Sequence, residues 1–357
     1  MELSEIYETI HRMEKVEKFT DTLFSDVILV HQALGDLLLD EINTNNKFLG
    51  RSLQIPIIID SMMGGTSEEI RFNEAAAKVA EEFQIGFAVG SQGKALIYSD
   101  EYNSFKKLRS VAPNAFIIAN LSANRINSDQ GINEAKEAIN MIKADAISIH
   151  LNPLEDVILK DKEIGYKGLL NSVKRLKEDI HIPIIIKEVG TGLSRESGLL
   201  LQNIGIDAIN LAGTGGTNWV YISSFISKKL GKYDKYKLAK VFYSWGIPTA
   251  ASILETKSLQ NISIIASGGI RNGLDVAKAI NLGAHTTALA LPFLKDFRSK
   301  GINGIRNRVL TLHSELKLAM FLTGSRDLEE LYRARRIITG KLKEWKDSLN
   351  DFYGNGI

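Results

Sequence analysis

The sequence predicts an α/β fold, a (β/α)8 TIM barrel with an N-terminal cap and C-terminal helices. Three observations carry that expectation: eight short apolar runs, a recurrence of about 30 residues between most of their starts, and helical periodicity in the stretches between them. The runs are continuously apolar rather than alternating, which implies strands covered on both faces, as in a parallel sheet flanked by helices. Eight evenly spaced units favour closure over an open, doubly wound sheet.

In chain order, residues 1–54 read as a cap of helix and extended chain, 55–300 as the barrel, and 301–357 as C-terminal helices, all within one domain. The expected strands are "IPIIID" 55–60, "IGFAVG" 85–90, "AFIIAN" 115–120, "AISIH" 146–150, "IPIIIKE" 182–188, "DAINLA" 207–212, "ISIIAS" 262–267 and "TTALAL" 286–291. Helical periodicity is clearest at 73–83, 131–144, 166–180, 195–205 and 273–283. The longest departure from the spacing, 213–261, reads as a loop insertion followed by a helix, and long insertions after a barrel strand build sites or lids. Within 303–350 the pattern gives two or three amphipathic helices.

Hydrophobic residues at 44% and charged residues at 24% are ordinary globular values. The net charge is +2 with both signs interspersed, which argues against a nucleic-acid partner. The absence of cysteine excludes disulfides, thiolate chemistry and cysteine-ligated metals. The first residues are polar and no apolar run reaches the ~18 residues of a membrane span. A cytoplasmic protein without membrane insertion is therefore expected.

In a barrel of this kind the site lies at the carboxyl ends of the strands. The residues there are Ser61 and Met62, Ser91 and Gln92, Asn120, His150 and Asn152, Lys187 and Glu188, the glycine loop 213–218, Ser267 to Gly269, and Ala288 to Ala290. A buried Lys187 needs an anionic partner. A flavin offers one, because its reduction puts negative charge near ring atoms N1 and O2, whereas Glu188 points to the opposite face of the strand. "SGGIRNG" sets Gly268, Gly269 and Arg271 after strand seven, where such barrels hold a phosphate. "AGTGGTNW", 212–219, reads as a cofactor cradle containing Thr217. His31, His181, His285 and His313 read as packed or surface residues, and Trp245 and Trp345 as helix-packing aromatics. Trp219 serves equally as core or as a cover for the site, and "KKLGKYDKYK", 228–237, reads as a solvated part of the insertion.

Together these residues resemble the type 2 isopentenyl-diphosphate isomerases, FMN-dependent barrels that interconvert isopentenyl and dimethylallyl diphosphate. The resemblance runs from "SDVILVHQAL" at 25 to "LTGSRDLEEL" at 331, through "ADAISIHLNP", "PIIIKEVGTG", "AGTGGTNW" and "SGGIRNGLDVAKAINLGA". It implies FMN as cofactor, with NADPH as its reductant. Met62, Ser91, Asn120, Lys187 and Thr217 correspond to residues holding the flavin ring and ribityl chain, and Gly268, Gly269, Arg271, Ala288 and Leu289 to the phosphate end. It also implies His150, Asn152 and Glu155 as catalytic residues, Mg2+ on Asp156 and Glu155, a small isoprenoid substrate, and a homo-oligomer of four or eight chains.

The departures fall at the substrate end. The family motif His-x-Asn-Pro-x-Gln-Glu is here "HLNPLED", with Glu155 for Gln and Asp156 for Glu. The family's Arg-Lys pair near the N-terminus has no counterpart before Arg12. Its Met-Thr-Gly-Gly is Met62-Met63-Gly64-Gly65, and its Gly-Ser-x-Arg is Gly90-Ser91-Gln92-Gly93, which removes a cation from the mouth. A charge-assisted hydrogen bond to the diphosphate is worth ~1.5–3 kcal/mol, so these substitutions weigh against tight diphosphate binding. The alternatives are an FMN-binding paralogue acting on another isoprenoid and a non-catalytic FMN-binding subunit. A hydroxy-acid oxidase stands well behind, since neither 213–219 nor "SGGIRNG" contains a histidine base.

Overall fold

The computed structural model describes residues 19–62, 67–161 and 165–354. Eight strands form a closed parallel barrel. They are β1 Ile57–Ile59, β2 Gly86–Ala88, β3 Phe116–Ser122, β4 Ala146–His150, β5 Ile184–Lys187, β6 Ala208–Asn210, β7 Ser263–Ser267 and β8 Thr286–Leu289. Each pairs with the next in sequence, and Leu289 of β8 lies opposite Ile59 of β1 to close the ring. All eight fall inside the expected runs, apart from the extension of β3 through Ser122.

Strand alternation divides the apolar residues into two buried sets. Ile57, Ile59, Phe87, Ile117, Ile147, Ile186 and Ile209 face outward into the main core beneath the helices. Ile58, Ala88, Ile118, Ala146, Ile185, Ala208, Ile265 and Ala288 face inward and pack in the barrel's interior. The amino end of that interior is plugged by the hairpin Asn46–Phe48/Arg51–Leu53. Phe48 and Leu53 are both 1% exposed, and the Phe48 ring meets Phe116 edge-on at 6.1 Å.

Three regions differ from the sequence expectation. Among the described residues of the cap there is no α-helix, only short 3-10 turns, the hairpin and the strand Val27–Leu29, and residues 1–18 lie outside the description. The stretch 213–261 holds three helices rather than one: Trp219–Lys229, Tyr233–Val241 and Thr249–Thr256. The first starts where the Asn218 side chain accepts from Tyr221 N–H, and it buries a face carrying Ser223, Ser224 and Ser227. Those serines make the segment look like loop in sequence. The C-terminal region holds helices Ile302–Leu322, Leu328–Arg333 and Gly340–Tyr353, together with a strand, Arg336–Ile338, that pairs antiparallel with Val27–Leu29 and joins the two ends of the chain. No helix of the described residues is long and apolar enough to cross a membrane.

The plug generates a prediction. Phe48→Ala should lower unfolding free energy by about 3–5 kcal/mol in a urea titration, and a loss below about 1 kcal/mol would show that the hairpin does not close the interior.

Candidate active site

Two residues beyond the inward apolar layer, the same alternation delivers polar side chains to the carboxyl end. Ile58 is followed by Asp60, Ile118 by Asn120, Ile185 by Lys187, Ala208 by Asn210 and Ile265 by Ser267. In β4, Ala146 leads through Ser148 to His150. Register sets His150 opposite Lys187, and Lys187 opposite Asn210, on consecutive strands. Above this layer opens a cavity of about 420 Å³, within the ~300–1,000 Å³ range of small-molecule and cofactor sites.

The cavity wall includes Met62, Ser91, Asn120, His150, Glu155, Lys187, Thr217, Gly268, Gly269, Arg271, Ala288 and Leu289. Asn152 and Asp156 are not on it. Asn152 instead caps the helix Pro153–Leu159, its Oδ1 accepting from Glu155 N–H at 3.1 Å while its amide donates to the Glu155 carboxylate. Asp156 is engaged by Lys160 at 2.6 Å, Asn124 at 2.9 Å and the Tyr166 hydroxyl at 3.1 Å. Among the described residues no group of three His, Asp or Glu could hold a metal ion. The Met63-Gly64-Gly65 departure and the N-terminal positions before Arg12 lie outside the described residues.

Lys187 meets neither Glu188 nor open space. Its Nζ stands 2.5 Å from Asp60 Oδ2, with side-chain exposures of 8% and 4%. Asp60 escapes a reading of the residue after each apolar run because it ends such a run. The signal for it is its place two residues past the inward Ile58. Glu188 turns away and accepts from Val189 N–H at 2.6 Å and Thr191 N–H at 3.1 Å. Burial pushes its carboxyl up to about 7, against the pull of those amides.

Asn120 is fixed from three sides. Its N–H donates to Gln92 Oε1 at 3.0 Å, its side-chain amide donates to the Val89 carbonyl at 3.1 Å, and its Oδ1 lies 2.9 Å from His150 Nδ1. Because that amide is spent on Val89, Oδ1 is the acceptor and Nδ1 the donor, which leaves Nε2 with the lone pair. Burial, reinforced by the Lys187 charge, lowers the His150 pKa to about 4, so the ring is neutral near pH 7. Glu155 behaves oppositely. Burial raises its carboxyl to about 7, and the Ser223 hydroxyl, at 3.0 Å, partly counters that rise. Ser223 comes from the helix Trp219–Lys229, which reads as loop in sequence, 68 positions away.

At the far end, the turn after β7 and the glycine loop after β6 pack backbone on backbone. Gly268 and Gly269 have φ of 93° and 78°, which L side chains rarely adopt. A Cβ on Gly268 would meet Gly213 O at 2.1 Å, and one on Gly269 would meet Thr22 Cγ2 at 2.3 Å. The glycines are thus required by loop packing as well as by any approach of a ligand. Ala290 and Leu291, at the start of the helix Leu291–Lys300, complete this end of the cavity. The arrangement of a glycine turn, Arg271 and a helix N-terminus suits a phosphate monoester. Position 93 lacks the family's cation but has two cationic neighbours: Lys94 lies on the cavity wall, and Arg125 Nε stands 2.7 Å from where a Gly93 Cβ would be. The segment 228–237 is largely exposed, as expected; within it Lys232 pairs with Asp161 and Lys235 donates to the Val157 carbonyl, both at 2.5 Å.

A cavity of about 420 Å³ lined by a neutralised cation and by a glycine turn suited to a phosphate fits a flavin mononucleotide. Known proteins agree. Residues 159–338 match the family described as FMN-dependent dehydrogenase. The chain is 42% identical to the isopentenyl-diphosphate delta-isomerase of Sulfurisphaera tokodaii over 94% of this chain and 90% of that one. It is 39% identical to the same enzyme from Metallosphaera sedula over 94% and 92%, and 39% identical to that of Pyrococcus horikoshii over 92% and 90%. Among solved structures it resembles a flavocytochrome b2 variant with TM-score 0.68 at 18% identity, covering 97% of this chain and 85% of that one. A mandelate oxidase variant aligns with TM-score 0.66 at 16% identity, covering 94% and 95%. These structural likenesses show the shared barrel and no more.

The His150 environment predicts a pH effect on stability. In the unfolded chain this imidazole takes up its proton near 6.5, in the fold only near 4. Between those values the unfolded state holds more protons, so this group makes the fold less stable as pH falls from 6.5 towards 4. Glu155 and Glu188, raised to about 7, act in the opposite sense, so the signed change is what reports on His150. On going from pH 7 to pH 5 in urea unfolding, His150→Gln should lose less stability, or gain more, than the native protein, and an identical change would contradict the assignment.

Proposed function

From the premise that the chain belongs to the FMN-dependent, type 2 isopentenyl-diphosphate isomerases, we propose that it interconverts isopentenyl and dimethylallyl diphosphate with FMN bound in the cavity at the barrel mouth. The observation that carries this reading is the union of full-length relatedness with an intact flavin-sized cavity. On it, Asn120, Lys187 and Thr217, with Met62 and Ser91, hold the ring and ribityl chain, while Gly268, Gly269, Arg271, Ala288 and Leu289 hold the phosphate. Reduced FMN, supplied with electrons by NADPH, brings an acid and base to the substrate double bond.

The chain's own groups set the surroundings of that bond. Asn120 orients a neutral His150 whose Nε2 can accept a hydrogen bond but adds no charge. Glu155 has a carboxyl that exchanges a proton near pH 7, which the glutamine of the family motif cannot do. Asn152 acts through Glu155, by capping its helix and bonding its carboxylate. Glu155 is also the residue of the "HLNPLED" motif that would offer an oxygen to Mg2+, since it lies on the cavity wall while Asp156, off that wall, is held by Lys160, Asn124 and Tyr166. Such an ion would take most of its ligands from water and the substrate diphosphate, as Mg2+ commonly does. The enzyme is proposed to work in the cytoplasm as a homo-oligomer, by the resemblance of its sequence to the family.

Anaerobic incubation with FMN, NADPH, Mg2+ and isopentenyl diphosphate should give dimethylallyl diphosphate. No product from protein carrying a full complement of FMN would reject the isomerase and favour the paralogue acting on another substrate. In the pH profile of kcat/KM, the native enzyme should show an ionisation near pH 7 that Glu155→Gln removes; its persistence in the variant would reassign that group. Lys187→Ala should weaken FMN binding at least about tenfold, whereas Asp156→Ala should leave it unchanged, and equal losses would contradict the division of roles.

A further inference from the structure

The floor of the cavity contains a feature that the resemblance does not assign. Asp60 on β1 and Lys187 on β5 come from opposite sides of the eight-stranded ring and meet across it at 2.5 Å, both buried. The carboxylate is the fixed half of the pair. Its Oδ1 accepts from Ser61 N–H at 2.9 Å, and its Oδ2 accepts from Asn210 Nδ2 at 3.1 Å as well as from the lysine. Asn210 is held in turn, its Oδ1 accepting from Ser267 Oγ at 2.5 Å, while that oxygen accepts from Ala212 N–H at 3.1 Å. A long, flexible lysine is thus anchored on a short acid locked by β1, β6 and β7.

We propose that Asp60 is a positioning residue that fixes the Lys187 ammonium at the cofactor and cancels its charge, so that a neutral ion pair rather than a bare cation faces the flavin. This rests on the reading that FMN occupies the cavity. The physical reason is the placement of charge. Reduction makes the N1 and O2 side of the ring more negative, so a bare cation in a dry site would bind the reduced form far more tightly than the oxidised form. An ammonium already paired with a carboxylate keeps N–H donors for the ring but contributes little net charge. Asp60 therefore restrains the preference for reduced flavin that Lys187 alone would impose.

The test is the midpoint potential of the FMN-loaded protein, measured with the dissociation constants of oxidised and reduced FMN. Asp60→Asn should tighten binding of reduced over oxidised FMN at least about tenfold, equivalent to a potential about 30 mV higher. Asp60→Glu, which keeps the charge, should stay within that margin of the native protein. A residue serving only the fold would weaken both forms alike and leave the potential where it was, and that result in a folded Asp60→Asn protein overturns the proposal. If Asp60→Asn does not fold alone because Lys187 is left without its counter-ion, reduced FMN in an anaerobic refolding buffer should rescue it by placing the negative N1 and O2 side of the ring at the ammonium. Failure of that rescue, with Asp60→Glu folding normally, also overturns it. A native protein that takes up no FMN defeats the underlying reading as well, and is recognised because the unsubstituted protein itself is then colourless.

Discussion

The structure depends on one geometric constraint: in a closed sheet, every second residue of every strand must point inward. One inward position of each strand is apolar, and together these fill the interior with Ile58, Ala88, Ile118, Ala146, Ile185, Ala208, Ile265 and Ala288. The next inward position, on six of the strands, is polar. Since the strands are parallel, all of those polar groups emerge at the same end, on a rigid support that the helices press together from outside. The hairpin carrying Phe48 and Leu53 seals the other end and leaves a single mouth for chemistry.

Burial then decides the charge state of what the mouth contains. A lysine this deep is tolerable because Asp60 lies directly across from it. Loss of water keeps His150 neutral. Glu155 is met by Ser223 of the helix Trp219–Lys229, and burial outweighs that bond and the Lys160 charge, so its carboxyl rises to about 7. The site is thus a layer of neutral or neutralised groups, ending in a glycine turn and helix N-terminus suited to a phosphate. Such a layer can accommodate an uncharged ring system at one end and an anion at the other.

Much of this is legible in the sequence because strand periodicity and βα spacing are local signals. All eight strands show in the apolar runs, and the wall-lining residues from Met62 to Leu289 emerge from asking what stands at each strand end. Asp60 and Asn210 do not emerge that way because they lie inside the runs, although counting two from Ile58 and Ala208 leads to them. The Glu155–Ser223 contact cannot be read from spacing, since two segments 68 positions apart meet only once the barrel closes. Gly268 and Gly269 suggest phosphate approach alone. Their close packing against Gly213 and Gly215 is a second constraint that only three dimensions disclose. The strand Arg336–Ile338 reads as helix because its partner, Val27–Leu29, lies near the other end of the chain.

The central claim is that this mouth is built around a flavin nucleotide lying between the Asp60–Lys187 pair and the Gly268–Arg271 turn. It is tested most directly by a crystal structure of the protein grown with FMN. The account predicts electron density for the ring against Asn120 and Lys187, with the phosphate at the Gly269 and Leu291 amides. Density for the nucleotide elsewhere on the molecule, or the same cavity filled by protein side chains in the presence of saturating FMN, would contradict it.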